Sequence, residues 1–337
     1  MSNEPDTAPN IVKDLFGWYS ITMLALGART GLLEALLADG GSAEEISQRA
    51  GTDVRTTREW LRALTGAGHV EHDRGRFRIT DDARAILGPQ FPTDFRAVLG
   101  FVDAIPTVMD DIAASVASGA GVPAAAYARA FPPRIGRMNT PTYEAALVDD
   151  WIAGLDGVAE VLSRGGALAD LACGNGDAVA LAGRAFPQAH VVGFDVVLPP
   201  EGRPDLPANA ELRVAAAEQL PREQTFDLVM SLDAFHHVGD ARKAAREVHD
   251  VLRPGGTFMV VETGMTGDLD ADAADPFSVV VYASSLLWCL QENLAEGGEG
   301  HVSDGPAWVV DALVEAGFRD IGVRPSDTGY NIITGVA

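Results

Sequence analysis

The chain has 337 residues, 47% of them apolar, and 48 acidic residues against 25 Lys and Arg give a formal net charge of −23. That length leads us to expect two domains with ample core, and the acidity repels nucleic acid over most of the surface. Cys173 and Cys289 stand in no metal-ligand spacing, the opening MSNEPDTAPN lacks the layout of a signal peptide, and no apolar run approaches the ~18 residues of a membrane span. A protein of the reducing cytoplasm, without a disulfide framework or membrane association, is the expectation.

Taken in order, Ile11, Leu15, Phe16, Tyr19, Ile21, Leu24, Ala25 and Leu32 recur at roughly helical spacing, and glycines at 27 and 31 predict two short helices broken there. GSAEEISQRAG follows with Ser42 as N-cap, Glu45 three residues on as the second half of a capping box, and Gly51 as the stop. TDVRTTREWLRALTGAGHV reads as a third helix, and VEHDRGRFRIT alternates around Arg74-Gly75 like a small hairpin. Three helices and a hairpin make a winged helix. Arg55, Arg58 and Arg62 fall on its candidate recognition helix. Three arginines in an acidic chain are a thin DNA footprint, so a dimerisation domain of the same shape is the favoured reading and nucleic acid is disfavoured. Residues 82 to 163 read as mostly helical, broken at FPT, GAGVP and FPPR.

From Leu168 onward apolar strands alternate with helices: ALADLA, HVVGFD, ELRVAAA, FDLVMSLDA, TFMVVET, IGVRPS and YNIITGV. Near-continuous apolar strands of this kind imply a parallel sheet covered on both faces. The ligand then sits at the carboxyl ends of the strands, where their order switches.

The turn in LADLACGNGDAVALAGRAFP could serve a dinucleotide, a phosphate or a cationic nucleoside such as S-adenosylmethionine. The dinucleotide fingerprint needs a third glycine for close helix packing, and Val179 stands there. Asp177, in the first helical turn, would oppose a pyrophosphate, and the P-loop Lys-Ser/Thr pair is absent. A sulfonium and an ammonium instead want carboxylates: Asp170 ends the first strand, and Asp195 ends the second, placed to accept the ribose hydroxyls.

DLACGNGD, GFD, FDLVMSLDAFHHVGD and LRPGGTFMVVE resemble the successive motifs of class I S-adenosylmethionine-dependent methyltransferases, spanning residues 168 to 262. The N-terminal part resembles the winged-helix dimerisation domain of bacterial and plant small-molecule O-methyltransferases, and YASSLLWCLQENLAEGGEGH and LVEAGFRDIGV look like C-terminal segments of actinobacterial members. The resemblance implies an α/β fold, a Rossmann-like methyltransferase sheet behind a helical winged-helix domain. It divides the chain into a dimerisation domain at 1–105, a helical connector contributing to the substrate pocket at 106–163, and a cofactor domain at 164–337. Cofactor contacts fall on Asp170, Ala172, Cys173, Gly174, Asn175 and Gly176 in the first motif, on Asp195 and Val196 in the second, and on Ala216, Ala217 and Ser231 beyond them. Ala216 replaces the acid that often meets the adenine amino group, so backbone groups of Ala216 and Ala217, or Glu218, would take that contact.

Methyl transfer is an in-line displacement at sulfonium, and a neutral acceptor needs a base. His236 stands where the O-methyltransferases it resembles keep their general-base histidine, and histidine titrates near neutrality. Similar C-methyltransferases of 2-oxo acids hold a metal with a histidine-led pair after the fourth strand and a further histidine nearer the C-terminus. His236, His237 and His301 stand in those places. A divalent or ferric ion there would chelate the oxo acid and stabilise its enolate, whose C3 attacks the methyl group. Arg129 is the candidate partner of the substrate carboxylate, and Trp288 a candidate wall of the pocket. A homodimeric small-molecule methyltransferase is therefore expected, acting on carbon or on a hydroxyl, with a cofactor-sensing winged-helix regulator as the non-enzyme alternative.

Overall fold

The computed structural model describes residues 10–88, 91, 93–131, 136–198, 203–223, 225–298 and 302–337. The chain divides into two compact units, Met1–Pro106 and Thr107–Ala337.

The first unit opens with α1 (Asn10–Thr30) and α2 (Leu32–Ala38). The expected break near Gly27 does not occur, and the chain turns only at Gly31, which sits at φ 76°. Gly27 stays helical because it is a point of close approach: a Cβ there would lie 2.4 Å from the Trp60 ring. Trp60 Nε1 in turn donates to the Met23 carbonyl at 2.7 Å. That packing offsets the ~1 kcal/mol helical penalty of glycine.

Next come α3 (Ala43–Ala50), with the reciprocal Ser42/Glu45 capping box, and α4 (Val54–Gly66), capped by Asp53. Strands β1 (Val70–Asp73) and β2 (Arg76–Ile79) pair antiparallel around a two-residue turn at Arg74-Gly75. Leu33, Leu36, Ile46, Leu61, Leu64 and Ile79 form the core of this winged helix. On α4, Arg58 pairs with Glu44 at 2.6 Å and Arg62 with Glu59 at 2.5 Å.

The second unit is built on a seven-stranded sheet of β3 (Ala167–Leu171), β4 (His190–Asp195), β5 (Ala210–Val214), β6 (Phe226–Leu232), β7 (Leu252–Thr263), β8 (Arg319–Pro325) and β9 (Tyr330–Val336). The order is β5-β4-β3-β6-β7-β9-β8. Strands β3 to β7 are parallel, but β9 runs antiparallel to both β7 and β8. This corrects the expectation of an all-parallel sheet. Only residues 326–329 join β8 to β9, and a parallel pairing needs a crossover of a dozen residues or more.

The sheet buries apolar side chains on both faces. Phe226, Phe258, Val248 and Leu313 share a core on one side, and Leu168, Val179, Val191 and Met259 on the other, together with Leu147, Trp151, Ile152 and Leu162. Residues 140–163, read from sequence as part of a connector, thus pack within the second unit. The strand order reverses between β3 and β6, where α/β sheets open a crevice at their carboxyl edge. No single helix among the described residues is long and apolar enough to cross a membrane.

Candidate functional site

Parallel register brings the carboxyl ends of β3, β4, β6 and β7 to one edge, with Leu171 opposite Phe194 and Ser231, and Leu232 opposite Val261. Backbone conformation is unusual along that edge. Ala172 at φ 54° and Asp233 at φ 51° occupy the left-handed region that non-glycine residues avoid, immediately after β3 and just after β6. Such strain clusters where the surrounding structure holds a site in place.

After Ala172 the chain forms the glycine turn and enters the helix Asp177–Ala185 through Gly176 at φ 85°. Asp195 anchors the turn: its Oδ2 accepts from Gly174 N at 2.8 Å and its Oδ1 from Val197 N at 3.1 Å. Cys173 N donates to the Phe194 carbonyl. Burial, reinforced by the charge of Asp195, pushes the buried Asp170 carboxyl well above the usual carboxylate range. Two acids held this close favour a cationic ligand, which relieves both their repulsion and their desolvation. Among the described residues, the buried amide nitrogen of Asn175 has no hydrogen-bond partner, and neither does Oδ1 of Asp233. The edge therefore offers an unmet donor and an unmet acceptor beside buried carboxylates, and these fit a cation-bearing nucleoside.

The other expected cofactor positions divide. Val196 is exposed at the end of β4, while Ala217 is buried in the core. The Ser231 hydroxyl donates to the Leu171 carbonyl at 3.4 Å, across the β3–β6 seam. The Ala216 carbonyl accepts from Gln219 N. Glu218, considered for the adenine contact, accepts from Asp240 N at 3.2 Å and so helps hold the loop before helix Ala241–Val251.

Asp177, which sequence reasoning used only to argue against pyrophosphate, joins two elements. Thr140 Oγ1 donates to its Oδ2 at 3.2 Å, and Arg137 lies 3.3 Å from its Oδ1. Asn139 donates to Asp233 Oδ2 at 2.7 Å. Residues 137–140 thereby fasten the glycine turn to the end of β6.

His236 and His237 follow β6 in a short 3-10 turn, their rings 4.4 Å apart. His236 is buried; its Nδ1 lies 2.5 Å from Glu262 Oε2, and its backbone N donates to Glu262 Oε1 at 3.1 Å. Burial alone would lower the His236 pKa, but the Glu262 charge and hydrogen bond outweigh it, and the net shift is upward. His237 Nδ1 lies 2.8 Å from Glu292, although without hydrogen-bond alignment. Burial and His236 push its pKa down, Cys289 and Glu292 push it up more strongly, and it reaches about 9.

Cys289 and Trp288 reach this cluster from the π-helical turn Ser285–Cys289, a local widening that often marks functional positions. One ligand atom each of His236, His237 and Cys289 lie within 4.8 Å of one another. Trp288 stands 5.3 Å from the His237 ring and edge-on to Phe131 at 4.8 Å. Asn293, on the following helix, donates to the carbonyls of His236 and Val238 and fixes the turn from behind.

The third expected histidine, His301, lies outside the described residues. Arg129 is exposed on the last turn of helix Ala124–Ala130, and no contact joins it to the histidines among the described residues. Among the other histidines, His69 is bonded to Ser20 and His249 packs on Phe318. Sequence reasoning missed Glu262, Glu292, Cys289, Asn139 and Arg137. Glu262 alone carried a legible signal, an acid closing an apolar strand as Asp170 and Asp195 do.

Residues 169–260 match the family model for a methyltransferase domain, and residues 20–84 match that of the Rv2258c-like winged HTH domain. The chain therefore carries a methyltransferase domain that follows a winged-helix domain in sequence. Among curated proteins it is 33% identical over 102 residues to the ubiquinone/menaquinone biosynthesis C-methyltransferase UbiE of Desulfotalea psychrophila, covering 29% of this chain and 42% of that one. It is 32% identical over 136 residues to dimethylglycine N-methyltransferase of Parasynechococcus marenigrum, covering 38% and 49%. The matches thus span less than half the length of either relative. Human N-acetylserotonin methyltransferase, solved in complex with SAM, superposes with a TM-score of 0.74 at 18% identity over 100% of this chain and 99% of that one. At that identity the likeness is one of fold.

Proposed function

We propose that the protein is an S-adenosylmethionine-dependent methyltransferase acting on a small molecule, with His236 removing the acceptor's proton. The buried His236–Glu262 pair beside the switch crevice carries this reading. S-adenosylmethionine would lie along the glycine turn, its cationic end toward Asp170 and its ribose at Asp195. The acceptor's O–H or C–H proton passes to Nε2 of His236, and the freed electron pair attacks the methyl carbon. The S–CH3 bonding electrons return to sulfur, leaving the neutral thioether. Glu262 fixes the imidazole through Nδ1 and stabilises the imidazolium that forms. The test is methyl transfer from labelled cofactor to a panel of phenols and 2-oxo acids. His236→Ala is expected to keep cofactor affinity and lose ~10²–10⁴ of turnover, and unchanged turnover would sink the assignment.

A second reading, metal-assisted C-methylation of a 2-oxo acid, draws support from the adjacent histidines, each with Nδ1 against a carboxylate. Metal-bound histidines usually set their other ring nitrogen against a carboxylate, carbonyl or water, and the residues present fit one. His236 and His237 would hold it, with His301 as the further ligand the resemblance implies. A divalent or ferric ion there would supply Lewis-acid polarisation of the oxo acid's carboxylate and carbonyl oxygens.

The regulator reading loses support from the pairing of Arg58 and Arg62 with Glu44 and Glu59. Ile11, Leu15, Trp18 and Tyr19 lie exposed near one face of α1, which supports a homodimer through the N-terminal unit.

A further inference from the structure

We propose that Cys289 supplies a thiolate ligand to a metal held by His236 and His237, so that the centre takes a borderline transition ion such as Zn2+, Fe2+ or Co2+ and rejects Mg2+. The inference rests on the metal-assisted reading above and deepens it.

Three observations carry it. The ligand atoms of His236, His237 and Cys289 lie within 4.8 Å of one another, about twice the ~2.0–2.3 Å bonds such an ion makes to nitrogen and sulfur, so small side-chain rotations close the set. Each histidine has its Nδ1 against a carboxylate, Glu262 at 2.5 Å and Glu292 at 2.8 Å. Such partners orient a ligating imidazole and raise its basicity, and at His236 the hydrogen bond leaves Nε2 free for the ion. Cys289 is buried, and helix Leu290–Ala295 fixes it from the following turn, where Asn293 ties that helix to the carbonyls of His236 and Val238.

Of the carboxylate oxygens in the rival grouping of Asp233, His236 and Glu262, only Oδ1 of Asp233 is open among the described residues. Glu262 makes two bonds to His236, and Asp233 Oδ2 accepts from Asn139. A soft thiolate beside two imidazoles selects against hard, oxygen-seeking ions. The thiol proton leaves when sulfur binds, as do any protons on the imidazole nitrogens that coordinate.

The experiment titrates Co2+ into the metal-free full chain and follows absorption alongside bound metal. One equivalent of Co2+ is expected to bring a near-ultraviolet thiolate-to-cobalt charge-transfer band, with excess Mg2+ failing to displace it. Cys289→Ser should abolish the band while Co2+ still binds more weakly, and Cys173→Ser should retain it. Glu292→Gln should keep the band and weaken binding ~10–100-fold. Stoichiometric Co2+ without the band overturns the thiolate assignment and leaves a histidine-held metal standing. If no Co2+ binds at all, the metal-assisted reading falls too.

Discussion

Nδ1 of His236 lies 2.5 Å from Oε2 of Glu262, and both side chains are buried at the carboxyl edge of the sheet. The two residues are 26 apart in sequence and meet because β6 and β7 are parallel neighbours, with the turn after β6 beside the end of β7. This pairing sets the direction in which the pH dependence of the reaction should move.

If His236 is the base, activity rises with pH as its imidazole loses a proton. The Glu262 charge holds that proton on and raises the pKa. Glu262→Gln should therefore shift the ascending limb of the pH–rate profile to lower pH and reduce the maximal rate. A profile recorded from pH 5 to 10 checks both, and an unmoved limb would count against the pairing as a determinant of the base.

His237 gives a stability prediction for the metal-free protein. Its pKa is raised from 6.5 to about 9, so the folded state holds the proton more tightly than the unfolded chain. The resulting stabilisation is fully present below about pH 6.5 and is lost as pH rises towards about 9, amounting to at most ~3 kcal/mol. Urea unfolding at both ends of that window should show this loss, and His237→Asn should remove most of it.

Asp195 accepts backbone hydrogens from both Gly174 and Val197. Asp195→Ala leaves those groups without their partner, and we expect a stability loss of ~1–3 kcal/mol with cofactor affinity at least tenfold weaker. Calorimetric titration with S-adenosylmethionine measures the second effect. Wild-type affinity in the variant would show that the turn holds its shape without the carboxylate.

The exposed apolar residues of α1 lead us to expect a dimer by light scattering. Leu15→Glu combined with Tyr19→Glu should give a folded monomer, because two charges would be desolvated at the contact. Unaltered mass in the variant would place the contact elsewhere.

With Arg58 and Arg62 paired to acids, mobility-shift assays should show no salt-sensitive affinity for duplex DNA. Binding that weakens steeply with salt would return the regulator reading to contention.

By itself the sequence determined what local chemistry controls. Ser42 and Glu45 close a capping box within four residues, Arg74-Gly75 turns a hairpin, and the apolar runs that become β3, β4, β6 and β7 can only be buried strands in this context. The ACGNG turn is local in the same way, and its flanking acids were legible because Asp170 and Asp195 end strands. The length of the 326–329 link also held the antiparallel ending, although strand alternation alone pointed to a parallel sheet.

Only the tertiary structure decided which groups meet across long separations. Glu262 reaches His236 through strand order, Cys289 reaches His237 from a widened helical turn and Glu292 from the helix after it, and Arg137 and Thr140 reach Asp177 from another element. Gly27 shows the same division in the first unit: in sequence it reads as a helix breaker, and in the fold it is where the Trp60 ring packs. Hydrophobic periodicity records which face of an element is buried but carries no information about its neighbour. The partners of the two histidines, and so the chemistry they can support, were set when the sheet closed its order and helix Leu290–Ala295 came to rest beside the turn after β6.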